Sequence, residues 1–148
     1  MSIVLITGSS GLIGSESASF FLKKGFKVIG IDNNLRRFFF GKNGDTVWVR
    51  NILVKNKNYT HFSCDIRNAS AIKKIFKKYK SDISIVIHAA AQPSHDYAKD
   101  NLHLDFKVNA EGTLNIFENI QKFSSDSKVI FLSTNKVYGD NPNKIKLI

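Results

Sequence analysis

The chain has 148 residues, 43% hydrophobic and 23% charged, proportions that fit one globular domain with a real core and exclude a disordered or fibrous polymer. Its 22 Lys and Arg against 12 Asp and Glu leave a formal charge of +10, and the excess is confined to residues 36–80, where twelve basic side chains face only Asp45 and Asp65. A single cysteine, Cys64, rules out an intrachain disulfide and a cysteine-rich zinc site; with no basic, leader-like start before Ile3–Ile6 it points to a reducing, cytoplasmic setting, and no stretch approaches membrane-spanning length.

In chain order, Ile3–Ile6 is a continuous apolar run of the kind buried on both faces of a parallel sheet. Ala18, Phe21 and Leu22 keep helical spacing in a helix expected to begin near Ser15, with Gly25 as its C-terminal cap. Lys27–Ile31 reads as the second strand, residues 33–46 as an irregular loop because of their Asn and Gly content, and Tyr59–Ser63 as the third strand. Ser70 is placed to cap a helix whose Ile72, Ile75, Phe76 and Tyr79 share one stripe, while Lys73, Lys74, Lys77, Lys78 and Lys80 lie off it. Ile83–Ile87, a helix from about Leu104 to Lys122, and Val129–Leu132 complete the pattern. Alternating strands and helices give an α/β class. Right-handed crossovers make it a doubly wound parallel sheet ordered 3-2-1-4-5, with ligand binding where the first and fourth strands diverge. The lysine-faced helix is the best case for nucleic acid. Lysines opposite an apolar stripe are also what a solvated helix requires, and no aromatic interleaving accompanies them, so the solvated reading is preferred.

The informative residues fall at that divergence. Thr7-Gly8-Ser9-Ser10-Gly11-Leu12-Ile13-Gly14 follows the first strand directly and opens the first helix. Gly8 permits a tight turn, Gly11 lets backbone N–H groups approach a pyrophosphate, and Gly14 lets the helix lie close to the sheet. Asp32 ends the second strand, 18 residues after Gly14, where a carboxylate can accept both hydroxyls of an adenine ribose. The same charge repels a 2′-phosphate, which favours NAD over NADP, although Arg36 and Arg37 stand close enough in sequence to pair with a phosphate.

With the glycine loop and Asp32, Asp65-Ile66, His88-Ala89-Ala90-Ala91, Asn109 in V-N-A-E-G-T-L-N, and Ser133-Thr134-Asn135-Lys136-Val137-Tyr138-Gly139-Asp140 together resemble the extended short-chain dehydrogenase/reductases. These are NAD-dependent nucleotide-sugar epimerases and dehydratases with a Rossmann cofactor domain and a smaller C-terminal substrate domain. Asp32-Asn33-Asn34 with Arg36-Arg37, and the S-T-N-K-V-Y-G-D segment, look most like the CDP-tyvelose 2-epimerase group. The resemblance implies that Leu12 and Ile13 cover the pyrophosphate and that Asp65 and Ile66 flank the adenine. It also implies that Ala89, Ala90, Ala91 and Gln92 line the cofactor channel, beside which Asn109 steadies the fourth strand. Asn33, Asn34, Arg36 and Ser133 join the cofactor set, and Thr134 aligns with the catalytic Ser/Thr that hydrogen-bonds the sugar oxygen. The implied substrate is a CDP-sugar.

The family's base is the Tyr of Y-x-x-x-K, and here the residues four after Tyr59, Tyr79, Tyr97 and Tyr138 are Ser63, Ile83, Asn101 and Pro142. The resemblance thus implies a chain, residues 1–148, that stops before the base, the last strands and the substrate domain, so that it is inactive alone, exposes the edge of its fifth strand and self-associates. The alternatives are a free-standing nucleotide-binding module or a related sugar-nucleotide dehydratase. Tyr138 reads as packing beside the site, His88 and His95 as hydrogen-bonded structure, and Cys64 as a packed thiol. Phe38-Phe39-Phe40 could cover a ligand, dock against a further domain or close its own loop.

Overall fold

The computed structural model of the chain describes residues 2–134, 139 and 141–146, so the expectations for Asn135–Tyr138 and Asp140 lie outside the described residues. Five parallel strands, β1 (Ile3–Thr7), β2 (Lys27–Ile31), β3 (Tyr59–Phe62), β4 (Ile83–His88) and β5 (Lys128–Phe131), form one sheet in the order β3-β2-β1-β4-β5. That is the doubly wound order expected from right-handed crossovers. Pairing sets Thr7 beside Ile31 and His88, Ile31 beside Phe62, and His88 beside Phe131. All five strands therefore end at one level, and the loops after them emerge in a row along one edge of the sheet.

Alternation along β1 sorts the core into two layers. Ile3 and Leu5 point toward α4 (Ala69–Tyr79) and α7 (Gly112–Phe123), where they meet Ile72, Ile75, Phe76, Val86, Ile116 and Ile120. Val4 and Ile6 point to the other face and pack with Ala18 of α1 (Leu12–Lys23), Val28, Leu53 of α3 (Val47–Leu53), Tyr59 and Ile87. Burying each large aliphatic side chain contributes about 1.5–3 kcal/mol, and nearly all of these are fully out of water. The apolar stripe of α4 is buried as its spacing predicts, and its lysines are exposed. Gly25 ends the first helix as expected, at φ +83° with its N–H on Leu22 O.

The structure corrects five local expectations. Helix α1 begins at Leu12 rather than near Ser15, because the glycine loop feeds directly into its first turn. The cap of α4 is Asn68, whose side-chain oxygen accepts the Ala71 N–H at 3.0 Å, rather than Ser70, which lies inside the helix. Residues 33–46 are not irregular: they hold α2 (Arg36–Phe40) and a 3-10 turn (Gly41–Gly44). The Asn34 side chain closes that segment, its oxygen accepting both the Thr46 N–H (2.9 Å) and the Thr46 hydroxyl (3.0 Å). The long helix is broken into α6 (Leu102–Phe106), a widened π turn (Lys107–Glu111) and α7, preceded by α5 (His95–Asp100). Strands β3 and β5 end at Phe62 and Phe131, one residue before their expected ends, and β5 begins at Lys128. β5 lies at the sheet edge with Val129, Ile130 and Phe131 exposed, as the resemblance implies. Among the described residues, no helix is long and apolar enough to cross a membrane.

Candidate functional site

A cleft of about 230 Å³ opens above the C-terminal ends of β1, β2 and β4. Its floor is the glycine loop. Gly8 adopts φ +66°, a left-handed conformation that favours glycine, and donates its N–H to Ile31 O at 2.8 Å, tying the loop to the end of β2. The third glycine is needed for packing: a Cβ on Gly14 would lie 2.0 Å from Gly8 O, so α1 sits directly on the loop. Gly11 differs, because a Cβ there would meet only Gly8 O, at 3.3 Å, and otherwise open space on the cleft side. Gly11 is also the N-cap of α1 and supplies no side chain to the helix's first N–H groups, which leaves them for an anion.

Two residues beneath the loop escaped the sequence reading. The Tyr59 hydroxyl donates to Ser9 Oγ at 3.0 Å, and both groups are buried. Gly30 makes this contact possible, since a Cβ at that position would lie 2.0 Å from the Tyr59 oxygen. A glycine inside an apolar strand was the available signal for such a close approach. Burial pushes the Tyr59 phenol up from its ordinary range, consistent with a neutral structural donor.

Asp32 stands on the cleft wall and orients both flanks of the site. One of its oxygens accepts the Ser10 N–H (3.0 Å) from the glycine loop, and the other accepts the Asn34 N–H (2.7 Å). Asn33 and Arg36 are on the wall, and Leu35 and Thr46 join them. Asn34 stands behind, its amide engaged with Asp45 and Thr46. Asp65 and Ile66 also line the cleft, next to Asn33, whose amide donates to Asp65 Oδ2 at 2.9 Å. Burial alone would raise the Asp65 carboxyl, but the hydrogen bonds and charge of Arg67, with help from the Asn33 amide, more than offset it and hold it below the usual carboxylate range. Asp65 thus shapes the wall as a neutralised pair rather than as a free anion. Cys64 lines the cleft beside it, with its thiol pushed up first by burial and then by Asp65, so it is a packed thiol and a poor nucleophile.

Ala89, Ala90 and Ala91 form the wall after β4, together with Pro93 and Val108. The Gln92 side chain turns away from the cleft and donates to Ser94 O (2.9 Å) and Asp105 Oδ1 (3.2 Å), while the Gln92 N–H donates to Asn109 Oδ1 (2.9 Å). Gln92 and Asn109 therefore brace the wall from behind. His88, 1% exposed, completes the brace. The Thr7 hydroxyl oxygen accepts the Ala90 N–H, and its hydrogen is free to donate to His88 Nδ1, 2.6 Å away. On the other side Thr113 donates to Asn109 O, leaving its oxygen to accept His88 Nε2–H at 2.9 Å. The chain of donors assigns the neutral Nε2–H tautomer, and burial lowers the His88 pKa to about 4. His88 is structural, as its sequence reading prefers; His95 is exposed, 3.8 Å from Asp96.

The Phe38 and Phe39 rings meet Tyr97 of α5 at centroid distances of 5.7 and 5.0 Å, so the aromatic run links the segment after β2 to the segment after β4. Phe40 instead lies under the Arg36 guanidinium, 4.7 Å away. Ser133 and Thr134 follow β5 on the same edge of the sheet and are exposed; neither is on the cleft wall. Among the described residues no cluster of His, Cys, Asp or Glu could hold a metal ion.

The chain is similar to known proteins along nearly all of its length. It is 36% identical over 137 residues to the CDP-paratose 2-epimerase of Salmonella typhi, covering 93% of this chain and 38% of that enzyme. The UDP-Glc/GlcNAc 4-epimerase from Campylobacter jejuni superposes with a TM-score of 0.79 at 25% identity, over 95% of this chain and 39% of that one. The UDP-glucose 4-epimerase from Bifidobacterium longum, solved in complex with NAD+ and UDP, superposes with a TM-score of 0.72 at 26% identity, over 93% of this chain and 38% of that one. The chain thus spans about two fifths of the length of the proteins it matches. Residues 4–147, which include the glycine cradle, Asp32 and the braced wall after β4, match one family model throughout, and the chain belongs to the NAD dependent epimerase/dehydratase family.

Proposed function

We propose that residues 1–148 are the NAD-binding portion of a nucleotide-sugar epimerase acting on a CDP-sugar. The observation that carries this reading is the glycine cradle: α1 rests on Gly8 through Gly14, its first N–H groups are open, and Asp32 stands at one end of the cleft. The fit to a dinucleotide is chemical as well as spatial. Gly8, Gly11, Leu12, Ile13 and Gly14 hold the pyrophosphate, and Asp32 accepts the adenine-ribose hydroxyls while Asn33, Asn34 and Arg36 frame them. Asp65 and Ile66 flank the adenine, and Ala89, Ala90 and Ala91 border the nicotinamide, with Gln92 and Asn109 fixing that wall and Ser133 at its far side. When bound, NAD supplies a hydride acceptor that oxidises a sugar hydroxyl and returns the hydride to the other face. Thr134 hydrogen-bonds the oxygen that changes between alcohol and ketone.

The family's tyrosine base followed four residues later by lysine does not occur in these 148 residues. On this reading the chain binds NAD but leaves a CDP-sugar unchanged unless those groups are supplied by further polypeptide, and the exposed β5 edge favours self-association of the isolated chain. Calorimetric titration with NAD tests the binding: heat with the wild type and its loss in Asp32→Ala are expected, and no heat with the wild type overturns the reading. Interconversion of a CDP-sugar by the purified chain would overturn the inactivity.

A further inference from the structure

The sequence leaves an electrostatic ambiguity, because two arginines stand four and five residues after the ribose carboxylate. The structure treats the two guanidinium groups differently: Arg36 is on the cleft wall, and Arg37 is drawn into an ion pair away from it. Arg36 lies over the Phe40 ring. Arg37 donates from Nη1 to Asp45 Oδ2 at 2.9 Å. Asp45 is itself held: its other oxygen accepts the Val47 N–H (2.9 Å) and the Asn34 side-chain amide (3.1 Å). Asn34 is the link to the cofactor end of the cleft, since its own N–H donates to Asp32. Asp45 therefore stands one residue's contacts away from the ribose carboxylate, with Thr46, its chain neighbour, on the cleft wall.

We infer that Asp45 is a specificity-determining residue that, together with Asp32, selects a cofactor with a free 2′-hydroxyl, by occupying Arg37, a cation that a 2′-phosphate would otherwise recruit beside Arg36. A 2′-phosphate adds close to two negative charges and is bound where a guanidinium can pair with it. Asp32 repels that charge directly. Asp45 acts by holding Arg37 in an ion pair, so a phosphate gains this second cation only when that pair breaks. The inference rests on the NAD-binding reading above and assigns the source of its selectivity.

The test is the ratio of NADP to NAD affinity, by calorimetry on the full chain, for wild type, Asp45→Asn and the double variant Asp45→Asn/Arg37→Gln. Asparagine retains an oxygen for the Val47 N–H and the Asn34 amide while removing the charge from Arg37. The ratio should rise about tenfold in Asp45→Asn and return to the wild-type value in the double variant. Because a general loosening of the site weakens both dinucleotides, the ratio separates selectivity from damage. Asp45→Ser, which can still accept the Val47 N–H, provides the same reading if the asparagine variant does not fold. A ratio within twofold of wild type, or a rise that persists without Arg37, overturns the role of Asp45 while leaving NAD binding intact. Failure of the wild type to bind either dinucleotide overturns the proposed function itself.

Discussion

Acidification should weaken this fold in a window set by His88. The ring is 1% exposed, hydrogen-bonded on both nitrogens and stacked near Phe131, with centroids 5.7 Å apart. Protonation would place a hydrogen on Nδ1, where the Thr7 hydroxyl now donates, and would put a charge where water cannot reach it. In the folded chain the pKa is lowered to about 4, against an ordinary value of 6.5. The unfolded chain therefore takes up a proton that the folded chain refuses. Stability contributed by neutral His88 is full above pH 6.5, falls as the pH drops toward 4, and is lost once the folded chain also protonates. At 1.36 kcal/mol per unit, the difference amounts to about 3 kcal/mol, a large share of the total for a domain of this size. Urea unfolding of the wild type and of His88→Gln between pH 7.5 and 4.5 measures most of it, with the difference between the two proteins shrinking by about 2.5 kcal/mol across the range. A difference that stays flat, or a His88 imidazole resonance that titrates near pH 6.5 in the folded chain, would refute the reasoning.

The glycines of the loop should separate folding from binding. Gly14→Ala drives a Cβ to 2.0 Å from Gly8 O and should cost about 3 kcal/mol or more, seen as a large drop in the thermal midpoint. Gly11→Ala meets only Gly8 O at 3.3 Å, so its midpoint should stay within a few degrees of wild type while calorimetric NAD binding falls at least tenfold. Tyr59→Phe removes the donor to buried Ser9 Oγ and should destabilise by about 1 kcal/mol in urea, with a weaker grip on NAD because the loop loses its support from below.

Much of the site was legible because its residues lie in runs whose meaning is local. A tight turn needs Gly8, a close helix needs Gly14, and a carboxylate at the end of the second strand needs only its position along the chain to be placed on the cleft wall. The parts that were not legible depend on partners distant in sequence. Tyr59 reaches Ser9 across 50 residues, and His88 meets Thr7 across 81. Residues 33–46 read as a loop because Asn and Gly have low helix propensity, yet the ring contacts with Tyr97 and the Asn34 links to Asp45 and Thr46 give that segment a defined shape. Ser70 lost the cap to Asn68, an equally good capping residue two positions earlier, and no local rule separates the two.

By itself, then, the sequence determined the alternating α/β pattern, the strand order, the glycine loop and its acidic partner. Each of these follows from periodicity, backbone sterics or the handedness of a crossover. Only the tertiary structure decided what each polar side chain does with its hydrogen bonds. Asp65 is neutralised by Arg67, Gln92 faces away from the cleft, His88 is held in one tautomer by two threonines, and Arg37 is engaged by Asp45. A side chain's residue type states what it can donate or accept. Which partner it finds, and whether water competes, is settled by the packing of segments that the chain brings together from far apart.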